Sequence, residues 1–351
     1  MLFVQQAVAQ FSVYVWQSWG DSTTAQSLQT DFERLKARGV KGVCLNTGFS
    51  VERATIGAKA AKAAGLEFHA WMPCMLQDGL PASWYGVNRL GEPANEKQAY
   101  VPYYKCLDPN NPEVQEWLIS QYEAIASIPE VDYVQLDYIR YPDVVLAKGL
   151  WKKFNLVMHE EYPVADYCYC DRCVADFKAQ TGIDIRAVKA PAKVKAWAQF
   201  RCDIITRFVN RLVARVHAKG KKVSADVFPG PRSHAVKMVR QEWDKWQVDA
   251  FFPMNYNDFY LQPASWVGKM TKEEVRAAGA KRPVYSGLFI CKNWQNKAQL
   301  TDPEDSGLLP SEVATAVRGA RKAGAKGICL FSAQSMTEAH WQALEEVLKE
   351  Q

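Results

Sequence analysis

The chain has 351 residues, of which 48% are hydrophobic and 23% are charged, with a formal net charge of +5. This composition is typical of a globular protein with a large core, and the length allows one α/β barrel with insertions or two smaller domains. No apolar run approaches the roughly 18 residues of a membrane helix, and the basic residues are scattered along predicted helices, which argues against a membrane-spanning or nucleic-acid-binding protein.

The first ten residues, MLFVQQAVAQ, combine a short apolar patch with the tripeptide Ala-Val-Ala. Small residues of this kind precede the cleavage site of a secretory signal, although the positively charged start of such a signal is missing. We interpret residues 1–10 as a signal remnant or an unpaired lead-in. The first interpretation implies a secreted or periplasmic protein, and on either one residues 11–351 form a single domain.

Strand and helix patterns alternate through the rest of the chain. Short apolar runs predict eight strands, at 11–16, 40–46, 66–72, 131–137, 222–228, 248–256, 283–289 and 326–332. Amphipathic patterns predict helices between and after them, at 25–38, 52–64, 112–126, 192–219, 233–246, 264–278, 310–323 and 335–349. Eight βα units in series predict a (β/α)8 TIM barrel. An open doubly wound sheet is the alternative, but no Gly-x-Gly-x-x-Gly follows the first strand.

Two predicted βα connections are much longer than ordinary loops. Residues 73–111 follow the third strand, and residues 139–191 follow the fourth. Because βα loops lie at the C-terminal mouth of a barrel, where barrel enzymes keep their active sites, we expect these inserted loops to shape a substrate cleft.

Carboxyl groups are predicted at the C-terminal ends of neighbouring strands. Asp137 ends the fourth strand, Asp226 lies near the end of the fifth, and Asp258 follows the sixth. Cleavage of a glycosidic bond needs one carboxyl group that protonates the leaving oxygen and a second that attacks carbon or activates water. We therefore predict a glycoside hydrolase with Asp137 at its centre, and by analogy with other barrels that use a fourth-strand aspartate, Asp137 is expected to be the nucleophile or charge stabiliser. Asp226 is the first candidate for the acid/base, and Asp258 is the second.

Aromatic and polar side chains near the same strand ends are candidates for carbohydrate subsites. Aromatic faces suit the C–H faces of sugars, whereas amides and guanidinium groups bind hydroxyl or anionic groups. The predicted substrate-binding residues are Tyr14, Trp16, Asn46, His69, Trp71, Tyr138, Arg140, Tyr141, Asn255, Tyr256 and Trp294. The expected partner is a neutral or anionic carbohydrate.

Each acid also has a structural interpretation. Asp137 could pair with Arg140, Asp226 could be a buried acid bonded to loop backbone, and Asp258 could be a turn residue. A glycan-binding barrel without catalysis is therefore the second hypothesis, and an Asp137–Arg140 pair would favour it. A carbohydrate deacetylase is a third, but the five histidines do not stand at metal-ligand spacing.

The segment 131-VDYVQLDYIRYP-142 resembles the fourth-strand motif of proteins labelled family 10 glycosylhydrolase, and 252-FPMNY-256 resembles their Pro-Met-x-Tyr element. With 107-LDPNNPEVQEW-117, the resemblance covers most of the predicted barrel. It implies a (β/α)8 barrel that acts on polysaccharide, with Asp137 as the first catalytic candidate. A more distant similarity connects the chain with chitinase-like barrels, but Ile139 stands where their catalytic glutamate is expected.

Three of the nine cysteines form the run 168-CYCDRC-173. Zinc binds four thiolate ligands at about 2.3 Å in a tetrahedron, and we predict Cys168, Cys170 and Cys173 as ligands with Cys106 as the fourth. The arrangement resembles the structural zinc site of barrel β-galactosidases of glycoside hydrolase family forty-two. We expect a structural zinc that joins the two long loops and no cofactor for catalysis. A disulfide or free thiols are the alternatives.

Overall fold

The computed structural model describes residues 11–299 and 306–350, so the predicted signal remnant at 1–10 lies outside the described residues. The strands are β1 Ser12–Gln17, β2 Gly42–Asn46, β3 Glu67–Pro73, β4 Tyr133–Asp137, β5 Lys222–Val227, β6 Ala250–Pro253, β7 Tyr285–Phe289 and β8 Gly327–Phe331. They pair in parallel in the order β6-β5-β4-β3-β2-β1-β8-β7. Two parallel bridges, Phe251–Val284 and Met254–Gly287, join the outer strands. The sheet therefore closes into the predicted (β/α)8 barrel.

Helices cover the outside of the barrel. They are α1 Ala25–Ala37, α2 Val51–Ala64, α3 Pro112–Ala126, α4 Asp171–Thr181, α5 Lys195–His217, α6 Val236–Val239, α7 Trp266–Ala278, α8 Pro310–Lys322 and α9 Glu338–Lys349. Local signals set several of their ends. The Thr24 side chain accepts a hydrogen bond from the Ser27 N–H at the start of α1, and Gly65 takes a left-handed conformation (φ 70°) after α2. Among the described residues, no helix is long and apolar enough to cross a membrane.

The helix predicted at 233–246 is the main error in the secondary structure. A π-helical turn at Pro231–Ala235 leads into the single turn of α6, and Arg240 then ends this helix with a φ of 60°. A separate 3₁₀ turn follows at Trp243–Lys245. The carbonyl groups of Val239 and Met238 accept hydrogen bonds from the loop after β4 instead of from the next helical turn. The buried Gln241 side chain accepts a bond from the Phe228 N–H. Contacts with two mouth loops therefore replace the helix that the local pattern favours.

Candidate active site

A cleft of about 610 Å³ opens at the C-terminal mouth of the barrel. Strand-end residues form its floor, and the two long loops contribute Tyr103, Tyr104, Leu146 and Phe154 to its walls. Eight predicted site residues line it, namely Trp16, Asn46, Trp71, Asp137, Tyr138, Arg140, Asp226 and Tyr256. The converging strand ends therefore build one pocket, as the sequence predicts.

Asp137 is held at the end of β4 by two donors. Its Oδ2 accepts a hydrogen bond from Trp71 Nε1 at 2.8 Å, and its Oδ1 accepts one from the Tyr138 N–H at 2.7 Å. Tyr138 has a φ of 47°, in a left-handed region that bulky residues rarely occupy. The positive φ turns the chain sharply into the loop after β4 at this point. Burial raises the pKa of Asp137, while these two hydrogen bonds act to lower it.

Asp226 lies on the adjacent strand β5 and is somewhat more deeply buried than Asp137. Its Oδ1 accepts hydrogen bonds from Gln135 Nε2 at 2.6 Å and from Trp16 Nε1 at 3.2 Å. Its Oδ2 is buried and has no partner among the described residues. Burial raises the pKa of Asp226 well above its usual range, and the neighbouring Asp137 carboxylate raises it further. Asp226 is therefore the group that keeps a proton in this pair.

Arg140 makes its ion pair with Asp143 and not with Asp137, although its charge helps to lower the pKa of Asp137. Its guanidinium group pairs with Asp143 Oδ2 at 3.0 Å and donates to the Tyr104 hydroxyl at 3.0 Å. It also lies 4.8 Å from the ring centroids of Tyr138 and Phe228. Arg140 thus fastens the two long loops to each other and stiffens one wall of the cleft.

An aromatic surface faces these acids across the mouth. The ring of Tyr256 packs against those of Phe289 and Phe331, with centroids 5.3 Å and 5.6 Å apart and interplanar angles of 35° and 37°. All three residues line the cleft. A surface of this kind offers a face on which a sugar ring can stack.

Two predicted substrate-binding residues lie too deep to reach a ligand. The Tyr14 hydroxyl donates to Glu67 Oε1 at 2.7 Å, and His69 bonds Ser224 Oγ at 2.9 Å and Glu67 Oε1 at 3.1 Å. Both side chains are buried inside the barrel and do not line the cleft. They belong to the core rather than to a subsite.

Four more predicted residues lie outside the cleft lining. Asp258 accepts a hydrogen bond from the Gly307 N–H at 2.7 Å and pairs with Lys297 Nζ at 2.9 Å, so it joins two loops and does not face Asp137. Tyr141 is buried beside the cysteine cluster, where burial and then the nearby Cys173 raise its pKa. Trp294 begins a short helix that contributes nothing to the cleft wall.

Asn255, the fourth of these residues, is buried behind β6. Its Nδ2 donates to Glu274 Oε2 at 2.9 Å and to Ser286 Oγ at 2.9 Å. Glu274 belongs to α7 and also accepts the Gly230 N–H at 3.1 Å. Burial raises the pKa of Glu274 to about 8. Glu274 lies on the apolar face of α7, four residues from Ala278 and seven from Val267. This spacing is the sequence signal for a buried acid.

The Glu274→Gln variant is expected to lack the fall in stability with rising pH that the wild type shows between about pH 4.5 and pH 8. The folded protein holds a proton that the unfolded chain releases near pH 4.5, so wild-type stability falls by up to about 1.4 kcal/mol per pH unit over this range. Glutamine removes that dependence. Urea unfolding at several pH values measures the pH dependence of the free energy of unfolding. Glu33→Gln, at an exposed position on α1, is the control. Parallel profiles for wild type and Glu274→Gln would contradict the assignment.

The structure adds cleft residues that the sequence analysis missed. They are mainly aromatic and apolar side chains of the loops, among them Val101, Tyr103, Tyr104, Leu146, Phe154, Phe228, Phe259 and Tyr260. The run 99-AYVPYYK-105 within a long mouth loop is the signal that could have found the first three.

A compact group of four possible metal ligands lies where the two long loops meet. The Sγ atoms of Cys168, Cys170 and Cys173 and a carboxylate oxygen of Asp108 all lie within 4.8 Å of one another. These three cysteines and Cys106 are not joined by disulfides. Cys106, the predicted fourth ligand, is buried but is not a member of this group, and Asp108, two residues further on, takes part in it instead.

The donor set of this group fits a divalent cation. Zinc–sulfur bonds of about 2.3 Å give a tetrahedron with edges of roughly 3.8 Å, and Cys170 Sγ and Cys173 Sγ lie 3.1 Å and 3.5 Å from the Asp108 oxygens. Backbone N–H groups of Val87 and Cys170 each point at Cys168 Sγ from 3.4 Å. Such donors stabilise thiolates, the form that binds metal. The cluster could therefore bind a metal ion.

No protein-family model matches the chain, and no curated protein matches its sequence. Among solved structures, the chain is similar to the PgaB (BpsB) glycoside hydrolase domain from Bordetella bronchiseptica, with a TM-score of 0.68 and 13% identity over 97% of this chain and 99% of that one. It is also similar to the catalytic domain of β-amylase from Paenibacillus polymyxa, with a TM-score of 0.62 and 11% identity over 97% and 98%. It is similar as well to a class V chitinase from Pseudomonas fluorescens, with a TM-score of 0.52 and 12% identity over 96% of this chain and 99% of that one.

These identities establish a common fold and no more. The resemblances to the family 10 and family forty-two proteins are not confirmed by the comparisons. The chain is a (β/α)8 barrel whose structural neighbours are glycoside hydrolases.

Proposed function

We propose that this protein is a glycoside hydrolase that cleaves a polysaccharide or oligosaccharide in the mouth cleft. The observation that carries the proposal is the pair Asp137 and Asp226, which come from adjacent strands, line one cleft and interact strongly enough for one to raise the pKa of the other. Two carboxyl groups whose environments push their pKa values apart are the usual basis for dividing acid and base roles.

In this proposal, Asp226 is the acid. Its Oδ1 accepts two N–H groups, so the proton belongs on the unpartnered, buried Oδ2, and it passes to the glycosidic oxygen once a bound substrate contacts this atom. Asp137 is the carboxylate, held by the Trp71 and Tyr138 N–H groups, and it attacks the anomeric carbon or activates a water molecule. Trp71 and Tyr138 fix its orientation, while Tyr256, Phe289 and Phe331 supply a stacking surface for the sugar ring.

The glycan-binding alternative is less well supported. It requires Asp137 to be a structural partner of Arg140, but the Arg140 ion pair goes to Asp143. Asp137 and Asp226 are both buried and have raised pKa values. Such perturbed pKa values are typical of catalytic groups.

We also infer that Asp108, Cys168, Cys170 and Cys173 hold a structural zinc ion. Asp108 belongs to the loop after β3 and the three cysteines belong to the loop after β4, so the ion would tie together the two segments that form one side of the cleft. A secreted or periplasmic location is part of the proposal and rests on the sequence of residues 1–10.

A substrate screen tests the catalytic proposal. Starch, cellulose, chitin, chitosan, polygalacturonate and hyaluronan would be incubated with wild type and with the Asp137→Asn variant, and new reducing ends would be measured. We expect hydrolysis of at least one polymer and a rate about 10³-fold or more lower for Asp137→Asn, because the variant has no carboxylate to attack carbon or activate water.

The Asp258→Asn variant is the matched control, since Asp258 lies outside the cleft lining and should retain most of the activity. Equal rates for wild type and Asp137→Asn would refute the proposed role. A loss in Asp258→Asn as large as in Asp137→Asn would return Asp258 to the site.

A further inference from the structure

A second pocket, of about 490 Å³, adjoins the cleft. The loops after β4, β5 and β6, together with the start of α7, form it. Its most prominent lining residues are Trp151, His159, His234, Tyr260 and Trp266. None of these residues has a part in the catalytic proposal.

A narrow ridge separates the two pockets. Leu146, Ala147 and Tyr260 line both of them, so they form its two sides. At Gly149 the backbone of the loop after β4 packs directly on that of the loop after β6. A Cβ there would lie 2.8 Å from the Phe259 carbonyl oxygen and closer still to that of Asp258. At this point the ridge consists of two backbones in direct contact, and the two pockets adjoin across it.

Aromatic rings bordered by polar groups line the second pocket. Tyr260 and Trp266 are stacked with centroids 4.9 Å apart at 27°, and the His234 ring meets Tyr260 edge-on at 5.0 Å. Trp151 is half-buried and fixed by a hydrogen bond from its Nε1 to the Leu146 carbonyl oxygen at 2.9 Å. Its ring stands at 89° to that of His159.

Lys148 and Gln262 add donors among the lining residues, and no carboxylate lines this pocket. Aromatic faces with hydrogen-bonding groups around them match a pyranose, which has apolar C–H faces and hydroxyl groups at its edge.

We propose that the second pocket binds a sugar unit of the same chain whose glycosidic bond lies in the cleft. The substrate is then a polymer long enough to cross the ridge, rather than a disaccharide or a small glycoside. This inference rests on the proposed function, and it names the substrate class. The shared walls and the aromatic character of both pockets favour one continuous carbohydrate chain over a second, unrelated ligand.

Binding as a function of chain length tests the inference. Cello-, malto-, chito- and galacturono-oligosaccharides of about two to eight units would be titrated calorimetrically into the Asp137→Asn protein, which binds without turnover. In at least one series we expect the affinity for the longest members to exceed that for the shortest by about tenfold, as one stacked ring contributes on the order of 1 kcal/mol or more.

Adding Trp151→Ala to the Asp137→Asn protein should abolish the increase in affinity with chain length. The affinity for the shortest oligosaccharides that bind should stay unchanged. Adding Trp151→Phe, which keeps a ring at this position, should preserve most of the gain. Trp84→Ala is the matched control, because Trp84 is a half-buried tryptophan of a mouth loop that lines neither pocket. A purely structural role for Trp151 would weaken short and long ligands alike.

Affinity that does not depend on length, equal losses for all lengths in Trp151→Ala, or no binding in any series would each overturn the inference. Hydrolysis by the wild type is measured in parallel. Length-dependent binding through Trp151 without hydrolysis would refute the catalytic proposal alone. Hydrolysis without a contribution from Trp151 would refute the second-pocket inference alone.

Discussion

The Asp226→Asn variant is expected to lose about 10²- to 10⁴-fold in kcat/KM on a substrate with an unactivated leaving group, the usual contribution of a general acid. The fold should survive the change. An asparagine Oδ1 can accept the bonds that Gln135 and Trp16 donate to Asp226, and its amide replaces an oxygen that has no partner among the described residues. Because asparagine cannot become charged when buried, the free energy of unfolding at neutral pH should not decrease.

The pH profile separates loss of an acid from loss of structure. Asp226 works in its protonated form, and its raised pKa keeps it protonated to higher pH than an ordinary aspartic acid, so activity should fall as pH rises through that pKa. Asp137 works as a carboxylate, and activity should fall as pH drops through its own, less strongly raised pKa. The acidic and alkaline limbs of the pH profile report the pKa values of the coupled pair and not those of either residue alone.

The residual activity of Asp226→Asn should therefore lack the alkaline limb and keep the acidic one. A substrate with an activated leaving group, such as a nitrophenyl glycoside of the sugar identified by the screen, should recover much of the rate, because it needs little protonation. The acid assignment is wrong if the alkaline limb persists in the variant. It is also wrong if the loss is the same for activated and unactivated substrates.

The sequence carries enough information for the barrel because its strands and helices are each specified locally. Apolar strand runs, capping residues such as Thr24 and glycines after helices recur in series, and each observed strand overlaps a predicted one. The segment 233–246 fails because hydrogen bonds with residues distant in sequence decide its structure. The buried Gln241 bonds Phe228 and Ile139, and helical periodicity contains no record of these partners.

Strand alternation predicted the face of each site residue but not its depth. Tyr14 and Trp16 point the same way, yet two residues of strand separate them by about 6.6 Å along the barrel, so only Trp16 reaches the cleft. The same spacing divides His69 from Trp71. Asn255 was misplaced for a different reason. β6 ends at Pro253, so the alternation on which the prediction relied no longer holds there.

The metal ligands show a similar limit. The motif Cys-x-Cys-x-x-Cys fixes three donors locally, because α4 begins within it and turns the chain back on itself. The fourth donor comes from another loop, where Cys106 and Asp108 are both close in sequence. Zinc chemistry favours the thiol, but the carboxylate oxygen of Asp108 is the atom that lies within 4.8 Å of the three sulfur atoms.

Removing the metal is expected to destabilise the protein by about 3 kcal/mol or more, since structural zinc sites are worth many times that in small domains and here the ion joins two long loops. Protein purified without chelators should contain about one zinc ion per chain by elemental analysis. Treatment with a strong chelator, or the Cys170→Ala substitution, should remove it. Either should lower the unfolding temperature by roughly 4 °C or more.

Two variants identify the fourth ligand. Asp108→Ala should lose zinc to the same extent as Cys170→Ala, whereas Cys106→Ala should retain it and lose only the packing energy of a small buried side chain. Because the joined loops hold Tyr104 and Arg140 against the cleft, zinc-free protein should also bind substrate more weakly. Zinc well below one ion per chain in unchelated protein would contradict the metal site. Zinc loss in Cys106→Ala with retention in Asp108→Ala would restore the four-cysteine site that the sequence predicts, because the chain would then have to bring Cys106 to the ion.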